Sequence, residues 1–134
     1  MTKAVLDTNI LVSSLLASGP PALIIDLVAN GRIIPFYNSL ILQEYLEVLS
    51  RKKFGFNSLQ VTRLIEDLIR VGVLIECEHS STIPISDEDD RMFYDTAVKA
   101  KAFLVTGNSR HFPSKPFIVN PVQFLDIYSR CNIQ

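Results

Sequence analysis

The sequence predicts an α/β domain built on a mostly parallel β-sheet. Short runs of aliphatic residues alternate along the chain with longer segments of helical periodicity, which is typical of strand–helix–strand units. Hydrophobic residues make up 48% of the 134 residues, and the mean hydropathy is +0.24, so the chain can bury a substantial core. Because no internal repeat, low-complexity tract or long linker interrupts it, we expect one domain over residues 1–134.

Breaking and capping residues place the elements of the first half. Gly19-Pro20-Pro21 ends one apolar helix, and Pro21 fits the first turn of the next, which Asn30-Gly31 stops. In order, the predicted elements are a strand at 4–6, a helix at 10–16, a helix from Pro21 to about Asn30, a strand at 33–36 and a helix from Asn38 or Ser39 to about Arg51.

The second half repeats the alternation. Asn57 with Gln60 resembles a capping box, and the helix that it opens has an apolar stripe at the 3.6-residue spacing. The stripe consists of Val61, Leu64, Ile65, Leu68 and Ile69. The later predicted elements are a strand at 73–75, a helix opened by 86–89 and ending near Lys99 or Ala100, a strand at 103–105, a strand at 117–119 and a helix from Pro121 with Phe124, Leu125 and Tyr128 facing inward.

Charge and hydropathy exclude several classes of protein. The formal net charge is −1, so any RNA contact must come from local basic clusters, of which Arg51-Lys52-Lys53 and Arg110 with Lys115 are candidates. Each cluster taken alone is more typical of a solvated surface than of an RNA-binding site. No apolar run approaches the ~20 residues that span a bilayer, and the start lacks the pattern of a signal peptide, so we expect a cytoplasmic protein without a membrane segment. In that compartment, Cys77 and Cys131 are expected to be free thiols.

Several acidic side chains fall where an α/β sheet binds ligands. Asp7 comes directly after the first strand, and such sheets bind ligands beyond the carboxyl ends of their strands. The alternative role of Asp7 is to cap the helix that follows. Glu44 flanks the buried stripe of its helix, although periodicity alone does not separate it from Glu47.

A run of four acidic residues, 87–90, opens a predicted helix. Carboxylates in a first turn favour the helix dipole, but four in sequence exceed what capping requires, and a bound cation would relieve their repulsion. Asp95 could pair with Arg91 at the i,i+4 spacing.

Three parts of the sequence together resemble a known family. They are the opening Ala4-Val5-Leu6-Asp7-Thr8-Asn9, Glu44 in Leu42-Gln43-Glu44-Tyr45, and Asp90 placed fourteen residues before Leu104-Val105-Thr106-Gly107-Asn108. Their order and spacing, across nearly the whole chain, resemble the PIN domain family, in particular the VapC-like toxins of toxin–antitoxin systems. The resemblance implies a three-layer α/β/α sandwich with a parallel sheet of about five strands.

The resemblance also implies an activity and a set of site residues. The activity is Mg²⁺- or Mn²⁺-dependent cleavage of RNA. Since a metal lowers the pKa of a bound water, our own hypothesis is in-line attack of hydroxide on phosphorus, which leaves a 5′ phosphate and a 3′ hydroxyl. By position, Asp7, Glu44 and Asp90 match the three acidic metal ligands, and Asn108 falls where many members carry a fourth acid. A further acid of the related toxins is replaced by His111, which leaves the number of metals open. Supporting positions are Thr8, Asn9 and Thr106, and candidate substrate contacts are Arg51, Lys52, Arg110 and His111.

The resemblance implies partners as well, and other functions compete with it. Toxins of this kind are held inactive by an antitoxin protein and form homodimers, and the apolar faces of 39–51 and 58–71 would serve either a dimer or the core. Phosphatases with an aspartyl nucleophile carry a second Asp where this chain has Asn9, and response-regulator receivers need an acidic pair near the first strand. A catalytically decayed RNA-binding or protein-interaction module is the remaining alternative, favoured by Asn108 and His111.

Overall fold

Strands and helices alternate along the computed structural model, which describes residues 1–131. The strands are β1 (Thr2–Leu6), β2 (Ile33–Tyr37), β3 (Val73–Leu74), β4 (Phe103–Val105) and β5 (Ile118–Val119). The helices are α1 (Thr8–Leu16), α2 (Pro20–Ala29), α3 (Ser39–Leu49), α4 (Ser58–Val71), α5 (Arg91–Ala100) and α6 (Pro121–Cys131). Short 3₁₀ turns lie at Glu88–Asp90 and Ser109–His111.

All five strands are parallel and follow the order β3-β2-β1-β4-β5. The chain adds β2 and β3 on one side of β1 and then returns to add β4 and β5 on the other side. The order therefore reverses between β1 and β4, and open α/β sheets bind ligands at the carboxyl edge of such a reversal. The amide of Asp7, the first residue after β1, donates to the carbonyl of Val105 in β4 at 2.9 Å. The predicted α/β fold with a parallel five-stranded sheet is confirmed.

Helices cover both faces of the sheet and bury its central strand. Helix α5 packs against β1, β2 and β4, whereas α2 packs against β2, α4 and α6. Ala4, Val5 and Leu6 expose at most 1% of their surface. A parallel strand covered on both faces needs a continuous apolar run rather than an alternating one, and Ala4-Val5-Leu6 is such a run.

The start of α3 matters most for the site. The side-chain oxygen of Asn38 accepts a hydrogen bond from the amide of Ile41 at 3.0 Å, so Asn38 rather than Ser39 is the cap. Its amide group donates to the hydroxyl of Thr96 in α5 at 2.9 Å. Asn38 thereby begins α3 directly after β2 and ties it to the helix on the neighbouring strands.

Some predicted boundaries and faces are corrected. Strands β3 and β5 are each one residue shorter than predicted, and α5 begins only after the 3₁₀ turn at Glu88–Asp90. Ile69 is 47% exposed rather than buried. It lies about 40° beyond Ile65 around α4 because each residue turns the helix by about 100°, and this places it past the edge of the stripe. Phe124 is fully buried, while Leu125 and Tyr128 are only partly buried.

Two further predictions concern the cysteines and membrane-spanning helices of residues 1–131. Cys77 and Cys131 are free thiols, as predicted. No single helix in this range has the length and hydropathy to cross a bilayer. Helices α1 and α2 reach both only when counted together, and the chain bends by 102° between them.

Candidate active site

Asp7 is held at the carboxyl edge of the sheet by its neighbours on both sides. Its Oδ2 accepts hydrogen bonds from the hydroxyl of Thr106 at 2.7 Å and from the side-chain amide of Asn9 at 3.1 Å. The side chain makes no capping hydrogen bond to α1, although it precedes that helix. Asp7 thus occupies the N-cap position of α1, but its carboxylate does not cap the helix, and the residue is 7% exposed at the strand reversal.

Glu44, and not Glu47, faces Asp7 from α3. The hydroxyl of Thr8 donates to Oε2 of Glu44 at 3.3 Å. Glu47 instead binds Arg51 on the outer surface of the helix, at 2.9 Å. The neighbouring Tyr45 explains the orientation, because its ring is buried and its hydroxyl donates to the carbonyl of Leu6 at 2.5 Å. This bond holds α3 against the end of β1 and turns Glu44 toward the site.

The four acids of the run at 87–90 have different roles. Asp87 caps the 3₁₀ turn, where its Oδ1 accepts from the amide of Asp89 at 2.9 Å. Glu88 binds Arg91 through both carboxylate oxygens at 2.7 Å. Asp89 is exposed, and only Asp90 is partly buried beside the other site residues. The capping interpretation thus holds for Asp87, while Asp90 is the acid that reaches the sheet edge.

Arg91 does not pair with Asp95, contrary to the i,i+4 prediction. Its guanidinium bonds Glu88 and the carbonyls of Ser81 and Ile83 instead. Asp95 accepts a hydrogen bond from the amide of Ser81 at 3.1 Å. Both side chains hold the 81–83 segment against α5, because the backbone amide and carbonyl groups of that segment lie beside the helix.

Asp7 acts electrostatically on Glu44 and Asp90, although 37 residues separate Asp7 from Glu44 and 46 separate Glu44 from Asp90. Burial raises the pKa of Asp90 to about 6, and the charges of Asp7 and Glu44 add to the effect. Burial also raises the pKa of Asp7, against the hydrogen bond from Thr106. The pKa of Glu44 is raised by burial, with a smaller contribution from Asp7. Arg51 and His111 offset the negative charge of the three acids only in part, and none of these acids forms an ion pair with a lysine or arginine among residues 1–131.

The donor set is suited to a hard divalent cation. It consists of carboxylate oxygens, which are the ligands of Mg²⁺ and Mn²⁺. Among residues 1–131, no three His, Cys, Asp or Glu side chains are close enough to form a ready metal-binding cluster. This spacing is compatible with Mg²⁺, which usually keeps several waters and needs only one or two direct carboxylates. Asp7 and Asp90 are the residues that would hold the ion, with Glu44 beside them.

The supporting residues form a second layer behind the acids. The hydroxyl of Thr106, which is fully buried, also accepts from the amide of Asn108 at 3.0 Å. The side-chain oxygen of Asn9 accepts from the amide of Gly107 at 3.0 Å. Because Asn9 and Thr106 both bond Asp7 and the loop after β4, they fix the two strand ends relative to each other.

Other predicted residues are less closely joined to the acids. The side chain of Asn108 is exposed, and it makes no capping hydrogen bond. His111 lies nearer, with its Nδ1 4.0 Å from Oδ2 of Asp90. Arg51 is occupied by Glu47, while Lys52 and Arg110 are exposed.

Sequence reasoning missed the anchoring role of Tyr45 and the Asn38–Thr96 bond. A tyrosine inside an apolar stripe was the available signal, because a buried hydroxyl almost always finds a partner. The identity of that partner, a carbonyl 39 residues earlier, depends on packing.

Comparisons with known proteins agree with this geometry. A family model described as "PIN domain" matches residues 3–110, which includes all three acids. The chain is 31% identical to an uncharacterized protein of Methanocaldococcus jannaschii over 110 residues, which are 79% of this chain and 70% of that protein. No solved structure matches the chain significantly.

Proposed function

Since the chain belongs to the PIN domain family, whose members are generally nucleases, we propose that it is a metal-dependent endoribonuclease. The observation that carries the proposal is the meeting of Asp7, Glu44 and Asp90 at the strand reversal. There burial raises the pKa of all three, that of Asp90 to about 6, and the charge of Asp7 adds to the rise at Glu44 and Asp90. A divalent cation would lower the repulsion among the three carboxylates. An arrangement that destabilises the metal-free protein is therefore typical of a metal-binding site.

The residues of the chain divide the work of hydrolysis. A divalent cation supplies stabilisation of charge on the scissile phosphate and a lowered pKa for an attacking water. Asp7 would be the central ligand of that cation, since Thr106 and Asn9 orient its carboxylate. Glu44, oriented by Thr8, and Asp90 complete the acidic set. Attack on phosphorus then forms the new P–O bond and breaks the bond to the 3′ oxygen, which leaves as a hydroxyl.

The resemblance to VapC-like toxins supports a finer assignment. We infer that the enzyme is the toxin of a toxin–antitoxin pair, acting in the cytoplasm and inhibited by a cognate antitoxin. We also infer a homodimer. The apolar stripes of α3 and α4 are largely buried in the core and are not free for it. The dimer surface must therefore use side chains that this core leaves exposed, such as Leu40, Leu46 and Leu59. Light scattering of the purified chain, alone and with a candidate antitoxin, tests both inferences.

The decisive experiment compares wild-type protein with Asp7→Asn on RNA. Total RNA is incubated with each protein in Mn²⁺ or in EDTA, and the cut ends are mapped. We expect cleavage by the wild type only in Mn²⁺, products with 5′ phosphates, and loss of cleavage in Asp7→Asn. Circular dichroism must show that the variant is folded. Full activity of Asp7→Asn would refute the assignment.

A second function is favoured by one feature of the site. Asn108 and His111 stand where the related toxins carry acids, so a decayed module that binds RNA or protein without cutting is the alternative. Calorimetry with Mn²⁺ distinguishes the two. The enzyme should bind Mn²⁺ in a manner that depends on Asp7, and a decayed site should not.

A further inference from the structure

Two basic regions compete for the RNA backbone. One is the Arg51-Lys52-Lys53 cluster at the end of α3. The other is the rim after β4, residues 107–111, which includes Arg110 and His111 and encloses a cavity of about 350 Å³. An RNA strand that reaches the acids must cross one of these regions, because the net charge of −1 offers no general attraction.

The α3 side of the site repels a phosphate backbone. A cleft of about 610 Å³ opens between α3 and α5 and leads to Glu44. Its walls include five further carboxylates and one arginine. The carboxylates are Glu47, Glu76, Glu88, Asp89 and Asp95. The arginine, Arg91, is held by Glu88 at 2.7 Å, so the cleft keeps a negative balance and disfavours an RNA strand.

The basic cluster at 51–53 is occupied and distant. Arg51 binds Glu47 through two nitrogens, and the Nζ of Lys53 lies 5.1 Å from the centre of the Phe54 ring. Helix α3 advances five residues from Glu44 to its end at Leu49, or roughly 7.5 Å, and Lys52 lies beyond that end. This advance is directed away from the carboxyl edge, since α3 begins at that edge.

The rim has the opposite properties. The chain from 96 to 125 contains no acidic residue. Arg110 forms no ion pair with any part of the chain that the structure describes. The Nδ1 of His111 lies 4.0 Å from Oδ2 of Asp90, so the rim is directly adjacent to the acidic site. A guanidinium and an imidazole N–H are both donors to phosphate oxygens.

We propose that the 107–111 rim is the phosphate-binding subsite of the enzyme and that single-stranded RNA enters over β4 rather than through the cleft between α3 and α5. This inference rests on the proposed function. Arg110 binds a phosphate next to the scissile one, and His111 borders the scissile phosphate itself. The acidic cleft prevents the strand from continuing on the α3 side, so the enzyme holds its substrate on one side of the cut.

The test measures binding separately from cleavage. A fluorescein-labelled single-stranded RNA is titrated with the full chain, in a buffer with Ca²⁺ in place of Mg²⁺ and Mn²⁺, at several salt concentrations. A gel confirms that the RNA is intact. Loss of one phosphate contact should weaken binding of a single strand about five-fold at 0.1 M salt and lower the slope of log affinity against log salt by about 0.7. We expect this result for Arg110→Ala.

Two variants serve as controls. Arg32→Ala removes an exposed arginine at the opposite end of the sheet, immediately before β2, and should leave binding unchanged. Lys52→Ala tests the competing path. Wild-type affinity in Arg110→Ala, or a loss of affinity in Lys52→Ala instead, would overturn the proposal. So would a wild-type protein that does not bind the RNA.

Cleavage in Mn²⁺ separates this inference from the proposed function. If the wild type binds RNA through Arg110 but cuts nothing, the subsite stands and the nuclease assignment fails. If the wild type cuts RNA and Arg110→Ala binds and cuts equally well, the nuclease assignment stands and the subsite is wrong.

Discussion

Asp90→Asn should stabilise the metal-free protein at neutral and alkaline pH. Burial and the neighbouring charge of Asp7 raise the pKa of Asp90 from 3.8 to about 6. An ionised Asp90 is therefore less favourable in the folded state than in the unfolded state. The amide of asparagine has nearly the same shape and carries no charge, so the substitution removes the repulsion with little change in packing.

The sign and size of the effect follow from linkage. Because the folded pKa is the higher one, the stabilisation by protonated Asp90 is complete below pH 3.8 and is lost as the pH rises through 6. The difference between the folded and unfolded pKa of Asp90 corresponds to about 3 kcal/mol of stability, of which about 1.4 kcal/mol is lost between pH 5 and pH 8. The side chain is 19% exposed, and screening by water reduces the latter figure to about 1 kcal/mol.

Urea denaturation in EDTA measures this difference. The free energy of unfolding of the wild type relative to Asp90→Asn should fall by about 1 kcal/mol between pH 5 and pH 8. Asp26→Asn, which changes an exposed acid on α2, is the matched control and should show no such trend. A constant difference between wild type and Asp90→Asn at the two pH values would refute the reasoning. It would mean that neither burial nor the neighbouring charges raise the pKa of Asp90 in the folded protein.

Three further substitutions test the supports of the site by urea denaturation. Thr106→Ala removes the hydroxyl that bonds Asp7 at 2.7 Å and should cost about 1–3 kcal/mol, whereas Thr106→Ser should recover most of it. Asn38→Ala removes a helix cap and a buried side-chain bond and should cost about 2 kcal/mol; an unchanged midpoint would contradict the capping role. Gly72→Ala would place a Cβ 2.5 Å from the carbonyl oxygen of Leu68, so we expect a loss of more than about 2 kcal/mol, and wild-type stability would show that the backbone yields there.

The sequence predicted the strands and helices well because their signals are local. The apolar run before Asp7 and the capping residues Asn38 and Asn57 act within a few positions of the backbone that they order. Errors occurred where a face or an ion pair depends on distant packing. Ile69 follows the spacing of a core residue but lies past the edge of the buried stripe of α4. Arg91 binds the 81–83 segment, whose position beside α5 the local sequence does not predict.

The candidate site divides in the same way. A residue directly after a parallel strand lies at the carboxyl end of that strand, so the sequence alone predicted Asp7 at the carboxyl edge of the sheet. Periodicity did not choose between Glu44 and Glu47, because both flank the same stripe, and only the family resemblance pointed to Glu44. In the structure the rotation of α3, set by the hydroxyl of Tyr45 on the end of β1, separates the two. The sequence thus determined which chemistry the chain carries and on which edge of the sheet. The packing of helices decided which acids meet, because the distance between side chains far apart in sequence is a property of the folded core.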